Sequence, residues 1–519
     1  MSTKVKEALF ELIRSMSKSE KRYFKLLASR HTIGDENNYV VLFDYIEKMP
    51  VYDEEQLFNY FKGEPFLNRF SITKKRLYDH LLHALDAYHA THSIDTQLQT
   101  QLHSAEILYN KSLYDQAKRI LKSAEKLAKK NEKYVVLQQI SKLNKRMLEN
   151  EGYSDLSALQ ILEIQAQDEE LSKRIENSNI LWTSKSLVFS KLHTKGVART
   201  EEERLAYRKL IEHLVVPDSS AGFDERYLYN HLMSAYHYGI QDLNGCAVFL
   251  KKNLVLFEED ANRISQQLST YLSLLTNAIY TLESLGQRTE SNKLLQTLRK
   301  LPEDFGQVIS DDMQIKLFAS VNSVELGVHM KRGDFDQALK RVPQVELGLR
   351  TYENKITSVR RAFLSFKVAT IYLGNGNSSE ALKWINKIFN DPDLDPSEDL
   401  LAFAYLVDLL IHMELKNNKL LPYAMKNAQR YLKSRNKLHR FEKVFLQFVS
   451  KMIKATDQFV ELELWEAFLN EVRELNGEGL DKAALEYFDF ELWAESKVLR
   501  KDFPGLLRDR NLTQLKSAS

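Results

Sequence analysis

The side chains best suited to chemistry crowd into "HLLHALDAYHATH", which carries His80, His83, His89 and His92 along with Asp79 and Asp86. Asp79, His83 and Asp86 recur at i, i+4 and i+7. A helix would set them on one face, where an imidazole and two carboxylates can hold a divalent cation. At about 100° per residue, though, His89 points roughly opposite to His80 and His83. The spacing therefore reads as an exposed polar face, and neither a metal nor another cofactor is expected. The one cysteine, Cys246, excludes an internal disulfide and a thiolate cluster and fits a reducing compartment. No serine, cysteine, histidine and aspartate stand in a recognised nucleophile context. "GNGNSS" (374–379) lacks the third glycine of a phosphate-cradling loop, and it reads as a turn. An enzyme is not expected.

Basic side chains offer a second kind of chemistry. Lys74, Lys75 and Arg76 lie near the start of a helical pattern, and Lys118, Lys122, Lys126 and Lys129 run along one side of another. Lys426, Arg430, Lys433 and Lys437 repeat the arrangement, while residues 461–492 are strongly acidic. A basic stripe can track the phosphates of DNA or RNA. More often it is a solvated helix face. The net charge of +2 and pI of about 8.2 supply no global field that favours nucleic acid or an anionic membrane.

The elements that carry these residues are helices. In 519 residues there are only 17 glycines and 9 prolines, too few for a strand-rich chain of this length. "KRGDFDQALKR" (331–341), "NKSLYDQAKRILKSA" (110–124) and "GNGNSSEALKWINKI" (374–388) share one plan. A polar turn is followed by capping residues, then alanine, then apolar residues at helical spacing. The alanines are Ala117, Ala338 and Ala381, with weaker echoes at Ala158, Ala206, Cys246, Ser291, Ala424 and Ala467. Successive positions fall 40 to 48 residues apart, an interval that marks an array of helical hairpins. The small residue is expected where the second helix crosses the first closely. Leu121, Ala124, Ile385 and Ile388 should bury against the same hairpin and its neighbour.

"YDQAKRILKSAEKLAKKN" (114–131) and "SSEALKWINKIFNDPD" (378–393) resemble the tetratricopeptide-repeat family, and Pro302 and Pro392 fall where that family ends its second helix. The interval here is longer than the family's by roughly ten residues. Pro343 departs from the pattern and should kink its helix. The resemblance implies that each hairpin's first helix lines a concave surface, where an asparagine can pair with the backbone of a bound peptide. Asn230, Asn277 and Asn322 occupy such helices, with Tyr236, Tyr280, Lys331 and Lys367 as neighbouring contacts. The alternative is that these asparagines satisfy interhelical carbonyls.

The expected fold is all-α: a right-handed superhelical solenoid of about nine hairpins with helical caps at both ends. Residues 1–97 form an N-terminal helical domain, 98–475 the repeat array, and 476–519 C-terminal capping helices. In the N-terminal part, Ser17 and Glu20 form a capping box. A later helix, capped by Ser71, turns Ile72, Leu77, Leu81, Leu85 and Tyr88 inward. Basic and acidic side chains balance over residues 1–95, which favours a cap over a DNA-binding helix-turn-helix. No run of about 18 apolar residues is present and the N-terminus has no signal-peptide core, so a cytoplasmic protein without a membrane span is expected. The function these features imply is a non-enzymatic scaffold or adaptor that binds a protein or peptide. The alternatives are a peptide-sensing regulator whose N-terminal helices bind DNA or a signalling partner, as in bacterial receptors of similar architecture, and an RNA-binding repeat protein.

Overall fold

A computed structural model describes residues 3–29, 38–89, 93–153, 156–198, 200–218, 220–306, 309–353, 355–395, 399–477 and 488–518. All secondary structure in them is helical: α-helices and a single 3-10 segment, Pro65–Arg69, with no strand among the described residues. Two compact units emerge, Met1–Glu176 and Asn177–Ser519. The division falls inside a 38-residue helix, Ala158–Lys195.

In the first unit, α1 (Thr3–Ser15), α2 (Lys18–Ser29), α3 (Asn38–Lys48), α4 (Glu54–Tyr60) and α5 (Phe70–His89) enclose Ile13, Phe24, Phe43, Leu57, Leu77 and Leu81. The capping box forms as expected: the Ser17 amide donates to Glu20 Oε2 at 2.6 Å, and the Glu20 amide donates to Ser17 Oγ at 3.3 Å. Ser71 is not a cap. The helix starts at Phe70, directly after the 3-10 turn, so Ser71 already lies in its first turn. Ile72 is 51% exposed, and Phe70 and Thr73 face inward in its place. Next come α6 (Ile94–Asn110), α7 (Tyr114–Lys130) and α8 (Tyr134–Asn150), packed through Leu98, Ala117, Leu121, Ala124 and Ile140. The long helix Ala158–Lys195 is α9.

The second unit contains α10 (Glu201–Arg208) and the hairpin pair α11 (Phe223–Gly239) and α12 (Leu243–Glu259), followed by the short α13 (Asn262–Gln266). Further hairpins are α14 (Leu268–Ser284) with α15 (Arg288–Phe305), α16 (Asp311–Arg332) with α17 (Phe335–Thr351), and α18 (Ser358–Gly374) with α19 (Ser378–Phe389). Then come α20 (Asp399–Glu414) with α21 (Leu421–Ser434) and α22 (Arg440–Met452) with α23 (Gln458–Gly477). First helices pack side by side in sequence: α14 on α16, α16 on α18, and α18 on α20.

One turn geometry recurs. Ser112, Gln241, Gly286, Gly333 and Gly376 each have φ between 61° and 80°. The next residue's amide (Leu113, Asp242, Gln287, Asp334 or Asn377) donates to a carbonyl five residues back, at 2.8 to 2.9 Å. This left-handed closure satisfies the carbonyls that a helix end leaves open. Five residues after each of these five positions stands a small buried residue: Ala117, Cys246, Ser291, Ala338 or Ala381; the same closure at Glu132, Lys416 and Asn436 is followed instead by Leu137, Leu421 and Phe441. That relation explains "KRGDFDQALKR", in which Gly333 closes α16 and Ala338 seats α17. The other echoes do not share it. Ala158 and Ala467 are exposed, and Ala206 and Ala424 are half-buried. Pro343 lies within α17, which runs on unbroken to Thr351, and Pro302 lies in the last turn of α15.

Two helices follow the final hairpin, α24 (Phe490–Leu499) and α25 (Phe503–Ala518). Phe490 packs against Phe441 and Phe445 at ring separations of 5.1 and 5.2 Å, so α24 covers the last hairpin. By contrast, α25 turns back to the α16–α17 hairpin. Phe503 meets Phe335 at 5.8 Å, and a Cβ on Gly333 would stand 2.9 Å from the Pro504 carbonyl oxygen. Residues 478–487, part of the expected C-terminal cap, lie outside the described residues.

Candidate functional site

Within the second unit, α11, α14, α16 and α18 jointly line a cleft of about 590 Å³, with further walls from α9 and α12. Its apolar walls include Phe189 and Leu192 from α9, Ala235 from α11, and Leu243 and Leu250 from α12. Its lysines, Lys331 and Lys367, come from α16 and α18.

Lys367 has the most unusual setting. The residue is only 8% exposed, flanked on its helix by buried Phe366 and Val368. Its Nζ stands 5.1 Å from the centre of the Tyr280 ring and 4.9 Å from that of Phe363. Cation–π attraction replaces part of the lost hydration. No carboxylate among the described residues lies within ion-pair range of it. Gly327 creates the space. A Cβ there would approach Lys367 Nζ and Tyr280 Cε1 to 2.9 Å. The Tyr280 ring is held in place by its hydroxyl, which donates to the Ser323 carbonyl at 3.0 Å.

Of the other polar lining residues, His231 and Cys246 are uncharged and Lys331 is hydrogen-bonded. Burial, with the nearby Lys185 charge, pushes the His231 imidazole down to about 4. The ring is therefore uncharged at neutral pH, and Tyr227 Oη lies 3.1 Å from its Nδ1. Burial pushes the Cys246 thiol up to about 11, with Thr281 Oγ1 at 3.8 Å. A protonated thiol is a poor nucleophile. Lys331 Nζ donates to Ser284 Oγ at 2.5 Å.

Of the seven residues that the sequence proposes for peptide contact, four meet here: Asn277, Tyr280, Lys331 and Lys367. The others do not. Asn230 is buried and lines a separate groove with Val216, Val248 and Val255. Tyr236 packs among Tyr207, Leu232 and Ile240. Asn322 is 3% exposed, and its Nδ2 donates to the Phe318 carbonyl one turn earlier, at 2.8 Å, so it satisfies its own helix. Sequence reasoning missed Gly327, Phe363 and His231. The readable signal was "VELGVHM": a glycine inside a long helix costs about 1 kcal/mol relative to alanine and calls for a packing reason.

The alternative basic residues are divided. Lys74 Nζ pairs with Glu54 at 3.1 Å and lies 4.7 Å from the Phe70 ring, so it serves the N-terminal core. Lys118 pairs with Glu151 at 2.5 Å. Lys75, Arg76, Lys122 and Lys126 are exposed. Around the histidines, Asp79, His80, His83 and Asp86 are exposed, and His89 Nε2 meets Glu20 Oε1 at 2.6 Å. His92 lies outside the described residues. No group of metal-ligating side chains comes together among the described residues. Among the same residues no helix is long and apolar enough to cross a membrane.

Compared by sequence with family models and with curated proteins, the chain matches none.

Proposed function

We propose that the protein is a non-enzymatic scaffold or adaptor that holds a segment of a partner protein in the cleft of α11, α14, α16 and α18. One observation carries this reading: first helices of four successive hairpins contribute to a single cleft that gathers four of the expected contact residues. Stacked hairpins present their first helices as one extended surface, which suits a chain segment better than a compact substrate. On this reading the hairpins belong to a tetratricopeptide-like solenoid, a right-handed superhelix of about nine units. Its setting is the cytoplasm, where a lone protonated thiol persists.

The test is affinity purification of the tagged full-length chain from its native cells, with and without nuclease, beside a Ser284→Trp variant. Ser284 is an exposed lining residue, so tryptophan there fills the cleft without entering the core. A stoichiometric protein partner that survives nuclease and is lost with Ser284→Trp is the expected result. Partners that leave with nuclease, along with co-purified nucleic acid, would shift attention to Lys75, Arg76, Lys122 and Lys126.

A further inference from the structure

We propose that the segment held in the cleft carries an internal acidic side chain, seated against Lys367, beside apolar residues that fill the rest of the cleft. The proposal rests on the peptide-binding reading above and adds the chemistry of the ligand.

Three observations support it. First, Lys367 is an ammonium on a residue that is more than nine-tenths buried, with two aromatic rings for neighbours and no carboxylate partner among the described residues. Its stem is buried while its ammonium opens on the cleft, so the charge is left to water or to a ligand. Elsewhere the chain supplies the partner itself: Glu325 is matched by Arg299 and Arg341, and Arg361 by Asp391. At Lys367 it does not, and a ligand can supply the opposite charge.

Second, the lining holds no acid among the described residues. In a chain with 71 aspartates and glutamates among 519 residues, none of the twenty described lining residues is acidic, whereas two are lysines. Complementary potential selects an anionic partner and rejects a cationic one. His231 cannot contribute a second positive charge near pH 7, because burial keeps it neutral. Both lysines of the lining lie on the α16 and α18 side.

Third, the cleft is polarised. The walls from α9, α11 and α12 are largely apolar, with Phe189, Leu192, Ala235 and Leu250 among them, beside His193 and His231. A single ion would leave this part unfilled. An extended segment with one acidic residue and apolar neighbours matches both parts. Gly327 is the specificity-determining backbone position, because any side chain there would displace the ammonium.

The experiment uses the full chain and a library of octapeptides acetylated at one end and amidated at the other, so that the only carboxylates are on side chains. Selected peptides are then measured by fluorescence anisotropy against matched analogues with Gln in place of Glu and Asn in place of Asp. The wild type is expected to prefer the acidic member by about tenfold, the scale of a charge-assisted hydrogen bond. Lys367→Met, which keeps an apolar stem but carries no charge, should erase that preference, so that the acidic and neutral members bind alike. Gly327→Ala retains the lysine but shifts its ammonium, and it should reduce the preference in the same direction. Equal affinity for acidic and neutral peptides in the wild type would overturn the acidic anchor and leave the peptide-binding reading standing. Retained preference in a folded Lys367→Met protein would also overturn the anchor. Binding that appears only with a free C-terminal carboxylate would overturn the internal acid. Failure to select any peptide would sink the reading beneath the proposal, and the proposal with it.

Discussion

Asn511 Nδ2 donates a hydrogen bond to the carbonyl of Lys331 at 2.9 Å, across a separation of 180 residues. The acceptor lies in the last turn of α16, two residues before the left-handed Gly333, and its side chain belongs to the cleft. The contact places α25 over the turn that launches α17.

Gly333 and Gly376 close equivalent turns, yet only the first is covered. A Cβ on Gly376 meets nothing within 4 Å, so Gly376→Ala should cost about 1 kcal/mol, the left-handed conformational penalty alone. Gly333→Ala adds a clash with Pro504 and Arg508 and should cost more, with the excess abolished in a chain ending at residue 502. Urea unfolding of the parent and both glycine variants, in the full and the shortened chain, measures this. Equal costs in the full chain would rule out the docking of α25 on this turn.

The small residue five positions after these two turns is a packing requirement. Ala381 is fully buried, so Ala381→Leu should lose about 1–3 kcal/mol by overpacking. Ala467 is exposed, and the same change there should stay within about 0.5 kcal/mol. Thermal or denaturant midpoints separate the two.

Glu325 ties three helices together. Its carboxylate accepts from Arg299 on α15 and pairs with Arg341 on α17 at 2.9 Å. Burial raises its affinity for a proton, but the hydrogen bonds from Arg299 and His329 and the charges of Arg341 and Arg299 prevail, holding the carboxyl down at about 2. A folded value below the unfolded one stabilises the fold above the unfolded pKa, and this stability is lost as pH falls through the folded one. Between about pH 4.5 and 2 the wild type should therefore lose about 3 kcal/mol from this group. Glu325→Gln should be less stable at pH 7 and lack this part of the acid dependence. Parallel urea titrations at pH 7, 4 and 2.5 decide it.

Asp408 works in the opposite sense. Burial in α20 pushes its carboxyl up to about 7, and burial likewise pushes His412, whose Nε2 lies 3.6 Å away, below the usual histidine value. A raised carboxyl pKa gives stability that is complete below the unfolded value near 4 and is lost as pH rises toward 7. Asp408→Asn should thus stabilise the protein by about 2–4 kcal/mol at pH 8 and change little at pH 4. A loss of stability at pH 8 would show that the charged form is the one the fold uses.

The helices and the hairpins that Gly333 and Gly376 close were legible because their signals are local. Gly333, Gly376 and the alanines that follow them encode turn and crossing within a dozen residues. Ala158 and Ala467 fit the interval but not the turn, and the interval alone could not tell an exposed small residue from a buried one. Ser71 was misread because the 3-10 segment Pro65–Arg69 carries the chain straight into α5 and leaves no free helix start to cap. At the cleft, Lys367 and Tyr280 were readable as a cation and an aromatic on first helices. That Lys367 has no counter-ion among the described residues depends on what α14 and α16 bring near it, which no local pattern records. Asn322 resembled Asn277 in sequence but turns back on Phe318, a choice made by packing.

The return of α25 to α16 also sets an order of events. Every hairpin up to Gly477 can close on neighbours near in sequence, but the bond between Asn511 and Lys331 must wait until residues beyond 503 have left the ribosome. Bringing together groups so far apart along the chain is slow compared with zipping adjacent helices. A nascent chain that has reached only residue 477 therefore has the hairpins but not the contact that holds the end of α16. The cleft's lysine-bearing wall gains its final support late, after the surfaces around it have formed.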